Sequence, residues 1–253
     1  MEQTSTHLEI AKKGEDIMNH ITSQARFIEI NASDRDQGGN LLAPNGERSH
    51  LNEIEWKMVR TEAFKEWFGR SLVVDENGEP LITYHGSSDK FSQFDLAEVG
   101  KNRDSGFMGT GFYFTPHEEL AKKYGEKMYK TFLRIEHLQV FEEDHGNARF
   151  LDKPLPPNIH DEVFRKYEPL KEREYRRLKR IDDEHKGDWS YMSNWNGEDK
   201  FEYILSDLIR EVIIEKGSTG VFGYNPVSQV YEYVAFNTED ILVIPELTSM
   251  SSL

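Results

Sequence analysis

The sequence of 253 residues contains no cysteine. This absence excludes a disulfide framework, a thiol nucleophile and any zinc site built on cysteine. Basic residues are also in deficit, with 31 Lys and Arg against 46 Asp and Glu, which gives a net charge of -15 at pH 7. Such a chain repels phosphate backbones as a whole, so broad electrostatic binding of DNA or RNA is disfavoured, although a local basic patch is not.

The sequence also lacks an apolar run long enough to span a membrane, and its first residues lack the basic and then apolar pattern of a signal peptide. A cytoplasmic protein with no membrane partner is therefore expected. P-loop, H-E-x-x-H, G-x-S-x-G and EF-hand patterns are missing too. The nine histidines are scattered singly, so we expect no metal site.

Composition divides the chain into a polar N-terminal part and a longer domain. Residues 1–54 are expected to form an extension, with a short helix near residues 7–25 and then an irregular loop rich in Gly, Pro, Asn and Ser. Residues 55–253 are expected to form an α+β domain, because short strands begin with a hairpin and helices interrupt them irregularly. The charged stretch of about residues 142–205 is expected to be a helical insertion in that domain.

Turn residues and apolar runs place the elements of this domain. Thr61 and Gly69 are expected to cap a helix with an aromatic face. Asn77-Gly78 is expected to turn a hairpin whose second strand runs into His85. Further strands are expected in "GFMGTGFYFT", "YKTFLRIEHLQVF", "EVIIEKG", "VSQVYEYVAF" and "ILVIP".

Two charged or titratable residues are candidates for chemistry. Strand alternation puts Glu232 on one face with Val230 and Val234, and a carboxylate in an apolar row is costly unless it is paired or has a task. A strand-end glutamate bonded to a neighbouring backbone group or lysine is the alternative. His85 precedes Gly86, which lets a ligand approach the backbone. A lone histidine is otherwise more often a structural residue.

Tyr113 lies between Phe112 and Phe114 in a segment whose composition is typical of a buried strand. A tyrosine in such a strand either packs in the core, with its hydroxyl bonded to one partner, or forms the wall of a site. This strand alone does not decide between the two.

Three motifs occur in a recognisable order. "YHGSS", then "GTGFYFT" with "YG" beyond it, then "YEYVAF" resemble the His, Tyr and Glu motifs of ADP-ribosyltransferases of the diphtheria-toxin and poly(ADP-ribose) polymerase type. The stretch "VRTEAFKEWFGRSLVVDENGEPLITYHGSS" is similar to ADP-ribosyltransferase domains of phages and mobile elements, including those of polyvalent proteins. The resemblance spans residues 55–140 and 211–245. It implies a split β-sandwich of two small sheets with flanking helices, in which NAD binds in a cleft between the sheets.

The resemblance also implies roles for individual residues. The NAD-binding residues would be His85, Gly86, Ser87, Tyr113, Thr115 and Tyr124. The residues taking part in catalysis would be Glu232, His85 and Tyr113. The histidine would bond the adenine-side ribose, the glycine would offer backbone bonds to the nicotinamide carboxamide, and the two tyrosines would stack on the nicotinamide ring. No metal is implied.

Two positions depart from the family pattern. Ala121 stands where many relatives have a serine that bonds the nicotinamide amide, so NAD binding is expected to be weaker. Val230, two residues before Glu232, replaces the Glu or Gln of the arginine-modifying branch, and the class of target stays open.

The implied activity is mono-ADP-ribosyl transfer from NAD to a macromolecular target, either protein or nucleic acid, as in a bacterial or phage toxin or defence effector. Such a role allows an antitoxin or inhibitor protein as a partner. Two alternatives are an NAD glycohydrolase, which uses water as the acceptor, and a non-catalytic interaction module on the same fold. In a helix, one face would contain Arg173, Arg176, Arg177 and Arg180. This face is either a solvated surface or a local basic patch that attracts nucleic acid.

Overall fold

The computed structural model describes residues 2–99, 106–141, 149–150, 153–185, 197–225 and 229–245. In chain order its elements are α1 (Glu2–Ala25), α2 (Glu53–Met58), α3 (Glu62–Phe68), β1 (Thr83–Ser87), β2 (Phe112–Phe114), α4 (Glu118–Ala121), β3 (Lys127–Leu133), β4 (Leu138–Phe141), β5 (Arg149–Phe150), β6 (Lys153–Pro154), α5 (Pro157–His185), α6 (Gly197–Glu215), β7 (Gly220–Asn225), β8 (Val230–Ala235) and β9 (Ile241–Val243). None of these described helices combines the length and apolarity needed to cross a bilayer.

The chain forms two compact units. Unit 1 contains Met1–Leu96, Tyr113–Leu138 and Asn237–Leu253. Unit 2 contains Ala97–Phe112 and Gln139–Phe236. The chain passes from unit 2 into unit 1 within β2, between Phe112 and Tyr113.

Unit 1 has a three-stranded antiparallel sheet in the order β1-β3-β9. Its core also includes residues from α1, from the irregular segment after α1, and from α2 and α3. The core residues are Ile21, Ala25, Leu41, Leu51, Trp56, Met58, Val59, Phe64, Trp67, Phe68, Phe132, Leu242 and Ile244. Residues on both sides of position 54 thus share one core, and the domain boundary at that position stays a prediction.

A buried carboxylate ties the irregular segment of unit 1 to its helices. Glu79 is 1% exposed, and Arg60 lies 3.0 Å from one of its oxygens. The Ser49 hydroxyl donates to the other oxygen. Arg60 also donates to the Leu42 carbonyl at 3.1 Å and lies over the Trp56 ring, with 3.5 Å between the guanidinium carbon and the ring centroid. Because a buried charge is stable only when it is paired, this network holds the segment in place.

The sheet of unit 2 is built on β7 and β8, which pair antiparallel from Gly220↔Ala235 to Asn225↔Val230. β7 also pairs with β4. Helices α5 and α6 supply much of the buried apolar surface, and their buried residues recur at helical spacing. These residues are Ile159, Val163, Tyr167, Leu205, Leu208, Ile209, Val212 and Ile213.

The predicted α+β class is confirmed, with one small sheet of three strands and another of four. The capped helix is confirmed as well, because the Thr61 hydroxyl accepts from the Phe64 N–H at 3.1 Å and Gly69 ends the helix with a φ of 57°. The Asn77-Gly78 turn forms, and its two arms pair at the bridge Val74↔Pro80.

Three other expectations need correction. "EVIIEKG" is wrong as a strand, because its first five residues are the last turns of α6, where Val212 and Ile213 are buried and Ile214 is 42% exposed. "YKTFLRIEHLQVF" forms the separate strands β3 and β4. In "GFMGTGFYFT" the strand is limited to Phe112–Phe114, which form β2.

The helical insertion at about residues 142–205 stays a prediction. Helix α5 lies within these residues and α6 continues beyond them to Glu215, while residues 142–148, 151–152 and 186–196 lie outside the described part.

Candidate functional site

Strand β1 carries the first group of candidate residues. His85 lies opposite Tyr129 of β3 in the antiparallel ladder. On the other edge of β1, the Tyr84 N–H donates to the Thr115 carbonyl at 2.8 Å and the Thr115 N–H donates to the Tyr84 carbonyl at 3.0 Å. This pair of bonds fixes the residues around Thr115 beside β1, so the His85 and Tyr113 segments are neighbours within unit 1.

His85 is oriented by the backbone of Tyr113. The His85 Nδ1 lies 2.8 Å from the Tyr113 carbonyl oxygen. A carbonyl can only accept, so Nδ1 carries the hydrogen and donates. Burial lowers the pKa of His85, and the bond to the Tyr113 carbonyl opposes this only in part. The ring is therefore neutral near pH 7, and its Nε2 has a free lone pair that can accept from a ligand hydroxyl.

Four aromatic rings surround His85, with centroid distances of 5.1 to 6.3 Å. They belong to Phe91, Phe94, Phe114 and Tyr129. Phe91 stacks on Tyr129 at 4.0 Å, and the Tyr129 hydroxyl donates to the Phe91 carbonyl at 3.0 Å. This packing explains the desolvation of the imidazole. The sequence reasoning missed these rings, although "KFSQF" directly after the His-Gly-Ser motif was an available signal.

Gly86 is required by the protein itself. A side chain at Gly86 would place its Cβ 1.9 Å from the Ala121 carbonyl oxygen. A side chain at Gly125 would similarly place its Cβ 2.0 Å from the carbonyl carbon of Ser87. The backbone of β1 thus packs directly against the turn after α4. In an antiparallel ladder the polar backbone groups alternate sides, so the N–H and C=O of Gly86 point to the same side as those of Tyr84, away from β3.

Ser87 and Thr115 each have a structural role. The Ser87 hydroxyl accepts from the Asp89 N–H at 3.1 Å, and the Thr115 hydroxyl accepts from the His117 N–H at 3.2 Å. Thr115 is also buried. These contacts account for both residues without a ligand, and their contact with NAD stays a prediction.

The two candidate tyrosines differ in environment. Tyr113 is half-buried between the buried Phe112 and Phe114. Tyr124 ends a short 3-10 turn and is 48% exposed. Tyr124 is therefore not a core residue, whereas Tyr113 is compatible with either packing or lining a site. Stacking of both rings on nicotinamide stays a prediction. Ala121, where relatives have serine, is buried.

Glu232 lies in unit 2, on β8. It is 3% exposed and it pairs with Gly223 of β7. A Cβ at Gly223 would lie 2.5 Å from the Met108 sulfur and 2.6 Å from the Phe141 Cβ. Paired residues of an antiparallel sheet point to the same face, so Glu232 projects from a face that Met108 and Phe141 cover. Its burial is compatible with a catalytic carboxylate, and its catalytic role stays a prediction.

Away from these residues, three side chains of unit 1 bring potential metal-ligand atoms within 4.8 Å of one another. They are His50, Asp75 and Glu76. His50 and Glu76 are exposed and contact each other at 2.9 Å. Exposed groups of this kind commonly occur without a metal, and we assign no function to them.

Comparison with known proteins gives one family match. A family model described as "ADP-Ribosyltransferase in polyvalent proteins" matches residues 75–242, which is more than half of the chain and includes all the candidate residues. Among solved structures, the crystal structure of an anti-CRISPR protein is similar over 64% of this chain and 94% of that chain, with 15% identity and a TM-score of 0.30. A likeness at this score does not establish a shared fold. No curated protein matches the chain.

The lowered pKa of His85 predicts a pH effect on stability. The unfolded chain binds the proton with the ordinary pKa of about 6.5, and the folded chain binds it more weakly, so this residue destabilises the fold as pH falls below that value. We expect the melting temperature to fall more between pH 8 and pH 5.5 for the wild type than for His85→Gln, whose amide can still donate to Tyr113. His20→Gln, at an exposed position on α1, should follow the wild type. Equal pH dependence in all three proteins would contradict the assignment.

Proposed function

This chain belongs to the family of ADP-ribosyltransferases in polyvalent proteins, and from that premise we propose that it is a mono-ADP-ribosyltransferase. It would cleave NAD and transfer ADP-ribose to a protein or nucleic acid. The observation that carries the proposal is the family match itself, which extends over His85, Tyr113 and Glu232. NAD is the substrate of such domains, and no metal has a role in the proposed mechanism.

His85 is proposed to bind the adenine-side ribose of NAD. The support is its fixed tautomer, because Nδ1 donates to the Tyr113 carbonyl at 2.8 Å and leaves Nε2 as an acceptor for a ribose hydroxyl. Gly86 is proposed to bond the nicotinamide carboxamide through its backbone. The support is the orientation of its N–H and C=O, which point away from β3. A carboxamide has a matching donor and acceptor, so it can satisfy both groups at once.

Tyr113 and Tyr124 are proposed to bind nicotinamide by their faces. Nicotinamide is a flat ring that is electron-poor while it is attached to the ribose, and an aromatic side chain presents a flat, electron-rich surface to it. The exposed ring of Tyr124 supports this role, since the core gains little from a side chain that is 48% exposed. Ser87 and Thr115 are proposed to line the same region.

Glu232 is proposed as the catalytic glutamate. The bond between nicotinamide and ribose breaks, its electron pair leaves with nicotinamide, and the ribose acquires oxocarbenium character. The Glu232 carboxylate accepts from the ribose 2'-hydroxyl and stabilises the positive charge. Removing one group of this kind typically raises the activation free energy by about 3 kcal/mol. A nucleophile of the target then bonds to the anomeric carbon and gives up its proton. The burial of Glu232 within its own unit supports this role, because charges interact more strongly away from water.

The stretch after Pro169 in α5 is proposed to select the target. Residues 171–180 contain six basic and two acidic residues, in a chain whose net charge is -15. The side chains of Arg173 and Arg176 are exposed, and Arg176 donates to Glu172 at 2.8 Å. The side chains of Arg177 and Arg180 lie outside the described residues. A local basic surface of this kind attracts an acidic or nucleic-acid target despite the overall charge.

The biological setting is part of the same proposal. A toxin or defence effector of a phage or mobile element would act on macromolecules of a bacterial cytoplasm, where NAD is also available. An antitoxin or inhibitor protein would then be the partner that protects the producing cell.

The first test uses NAD labelled on its adenine, incubated with a bacterial lysate. We expect label on a macromolecule with the wild type and at least about 100-fold less with Glu232→Gln, since the amide keeps the volume but removes the charge. Circular dichroism and melting temperature check that the variant is folded. Release of nicotinamide without labelling would instead identify a glycohydrolase, and the absence of any NAD cleavage would identify a non-catalytic module.

The second test concerns the tyrosine faces. Tyr113→Phe and Tyr124→Phe should keep most of the affinity for NAD, whereas Tyr113→Ala and Tyr124→Ala should each cost about 1–3 kcal/mol of binding free energy through lost stacking and burial. Affinity by calorimetry and melting temperature should be measured on all four variants. Unchanged affinity in the folded Ala variants, or a loss with Phe as large as with Ala, argues against stacking.

The third test separates target choice from NAD cleavage. Replacing Arg173, Arg176, Arg177 and Arg180 with Gln should leave nicotinamide release unchanged and reduce target labelling, more so at low salt if the target is nucleic acid. A matched control removes the same charge elsewhere, at Arg26, Arg48, Lys65 and Arg70, which are exposed positions of unit 1. Equal loss of cleavage and labelling, or equal effects of the two sets, would contradict a role in target choice.

A further inference from the structure

Helix α6 binds the loop that precedes β2. This loop, residues 106–111, is the glycine loop. The Ser206 hydroxyl donates to the Gly106 carbonyl at 2.8 Å, and the Thr110 N–H donates to the Ser206 carbonyl at 3.1 Å. The Thr110 hydroxyl donates to the Asp207 carboxylate at 2.5 Å. Both ends of the glycine loop are therefore hydrogen-bonded to one turn of α6.

The middle of the glycine loop lies against the same helix. Gly109 has a φ of 104°, and a Cβ there would lie 3.1 Å from the Arg210 backbone nitrogen. Only glycine combines this backbone conformation with such a close approach. The loop backbone thus rests directly on the surface of α6.

The opposite side of the glycine loop packs on the sheet face that carries Glu232. Met108 contacts Gly223, the residue paired with Glu232. A Cβ at Gly111 would lie 2.6 Å from the Val234 Cγ1, and Val234 is on the same face of β8 as Glu232. The glycine loop therefore forms one wall of the Glu232 surroundings, with α6 behind it.

Helix α6 also reaches the end of β8 directly. The Arg210 Nη2 donates to the Phe236 carbonyl at 3.1 Å, one residue after the strand ends. Arg210 and Asp207 belong to the same stretch of α6. Helix α6 therefore contacts both the glycine loop and the end of β8, the strand that carries Glu232.

We propose that Thr110 and Asp207 are positioning residues for Glu232. Their hydrogen bond fixes the glycine loop between α6 and β8, and the fixed loop holds the Glu232 carboxylate in its reactive orientation. This inference rests on the proposed function, in which Glu232 acts on NAD. The bond lies at an exposed position, and it acts together with the two bonds of Ser206 to hold a loop with three glycines in one conformation.

The proposal predicts a loss of rate, because a catalytic carboxylate tolerates only a small displacement. Charge stabilisation requires the carboxylate within about 0.5 Å of its productive position. Loosening the glycine loop lets Met108 and then Glu232 adopt other positions while NAD binding, which uses other residues, is maintained. The maximal rate should therefore suffer and the Michaelis constant should not.

The test compares Thr110→Val, which removes the hydroxyl at constant volume, with Thr110→Ser, which keeps it. For nicotinamide release, Thr110→Val should lower kcat between about 10-fold and 100-fold with little change in KM, and Thr110→Ser should recover most of the rate. Asp207→Ala should have a similar effect. The double variant Thr110→Val with Asp207→Ala should be no slower than the slower single variant, because both changes remove the same bond.

Hydrogen exchange provides a readout that does not require activity. Thr110→Val should speed amide exchange in the glycine loop and β8, and leave exchange in α1 and β3 as in the wild type. If the wild type is active, a normal kcat in Thr110→Val, or additive losses of rate in the double variant, would overturn the inference. If the wild type does not cleave NAD, the proposed function fails, and unchanged exchange in the glycine loop and β8 would then overturn the positioning role separately.

Discussion

The candidate site of unit 1 depends on the two hydrogen bonds between Tyr84 and Thr115. They hold the segment after β2 alongside β1, which brings the Tyr113 carbonyl within 2.8 Å of the His85 imidazole. They also occupy the backbone groups of Tyr84 and so determine, by alternation, the direction of those of Gly86. The tautomer of His85 and the direction of the Gly86 backbone groups thus both follow from the contact between Tyr84 and Thr115.

A glycine beside a motif residue suggests that a ligand can approach the backbone. In this protein, however, the space beside these glycines is filled by other parts of the chain. Gly86 faces the Ala121 carbonyl, Gly125 faces Ser87, and Gly223 faces Met108 and Phe141. Gly86 and the residue paired with Glu232 therefore lie where parts of the protein approach one another closely. Such packing restricts motion, and restricted motion is what an electrostatic catalyst requires, because its charges must already be oriented when the reaction begins.

Sequence motifs single out candidate residues, whose roles stay predictions, but they do not specify the contacts of those residues. Local chemistry sufficed for Thr61 and Gly69, since a helix cap involves neighbouring residues. It failed for "EVIIEKG", where a β-branched run suggested a strand, and the helix is evident only with the preceding Leu205 and Ile209 included. The His85 bond to Tyr113 joins residues 28 positions apart, and the aromatic surroundings of His85 come from β2, β3 and the loop after β1. Contacts of this kind depend on strand pairing, which no single motif specifies.

Under the proposed binding of NAD at His85, its neutral imidazole has a consequence for the design of inhibitors. A ring that already donates through Nδ1 presents only a lone pair at Nε2, so an inhibitor atom placed opposite it should be a hydroxyl or an N–H. A carbonyl, ether or carboxylate oxygen at the same place would face another lone pair and would have to protonate the ring, whose pKa burial has lowered. The lone pair at Nε2 is therefore the feature of His85 that a donor group of such a compound should match.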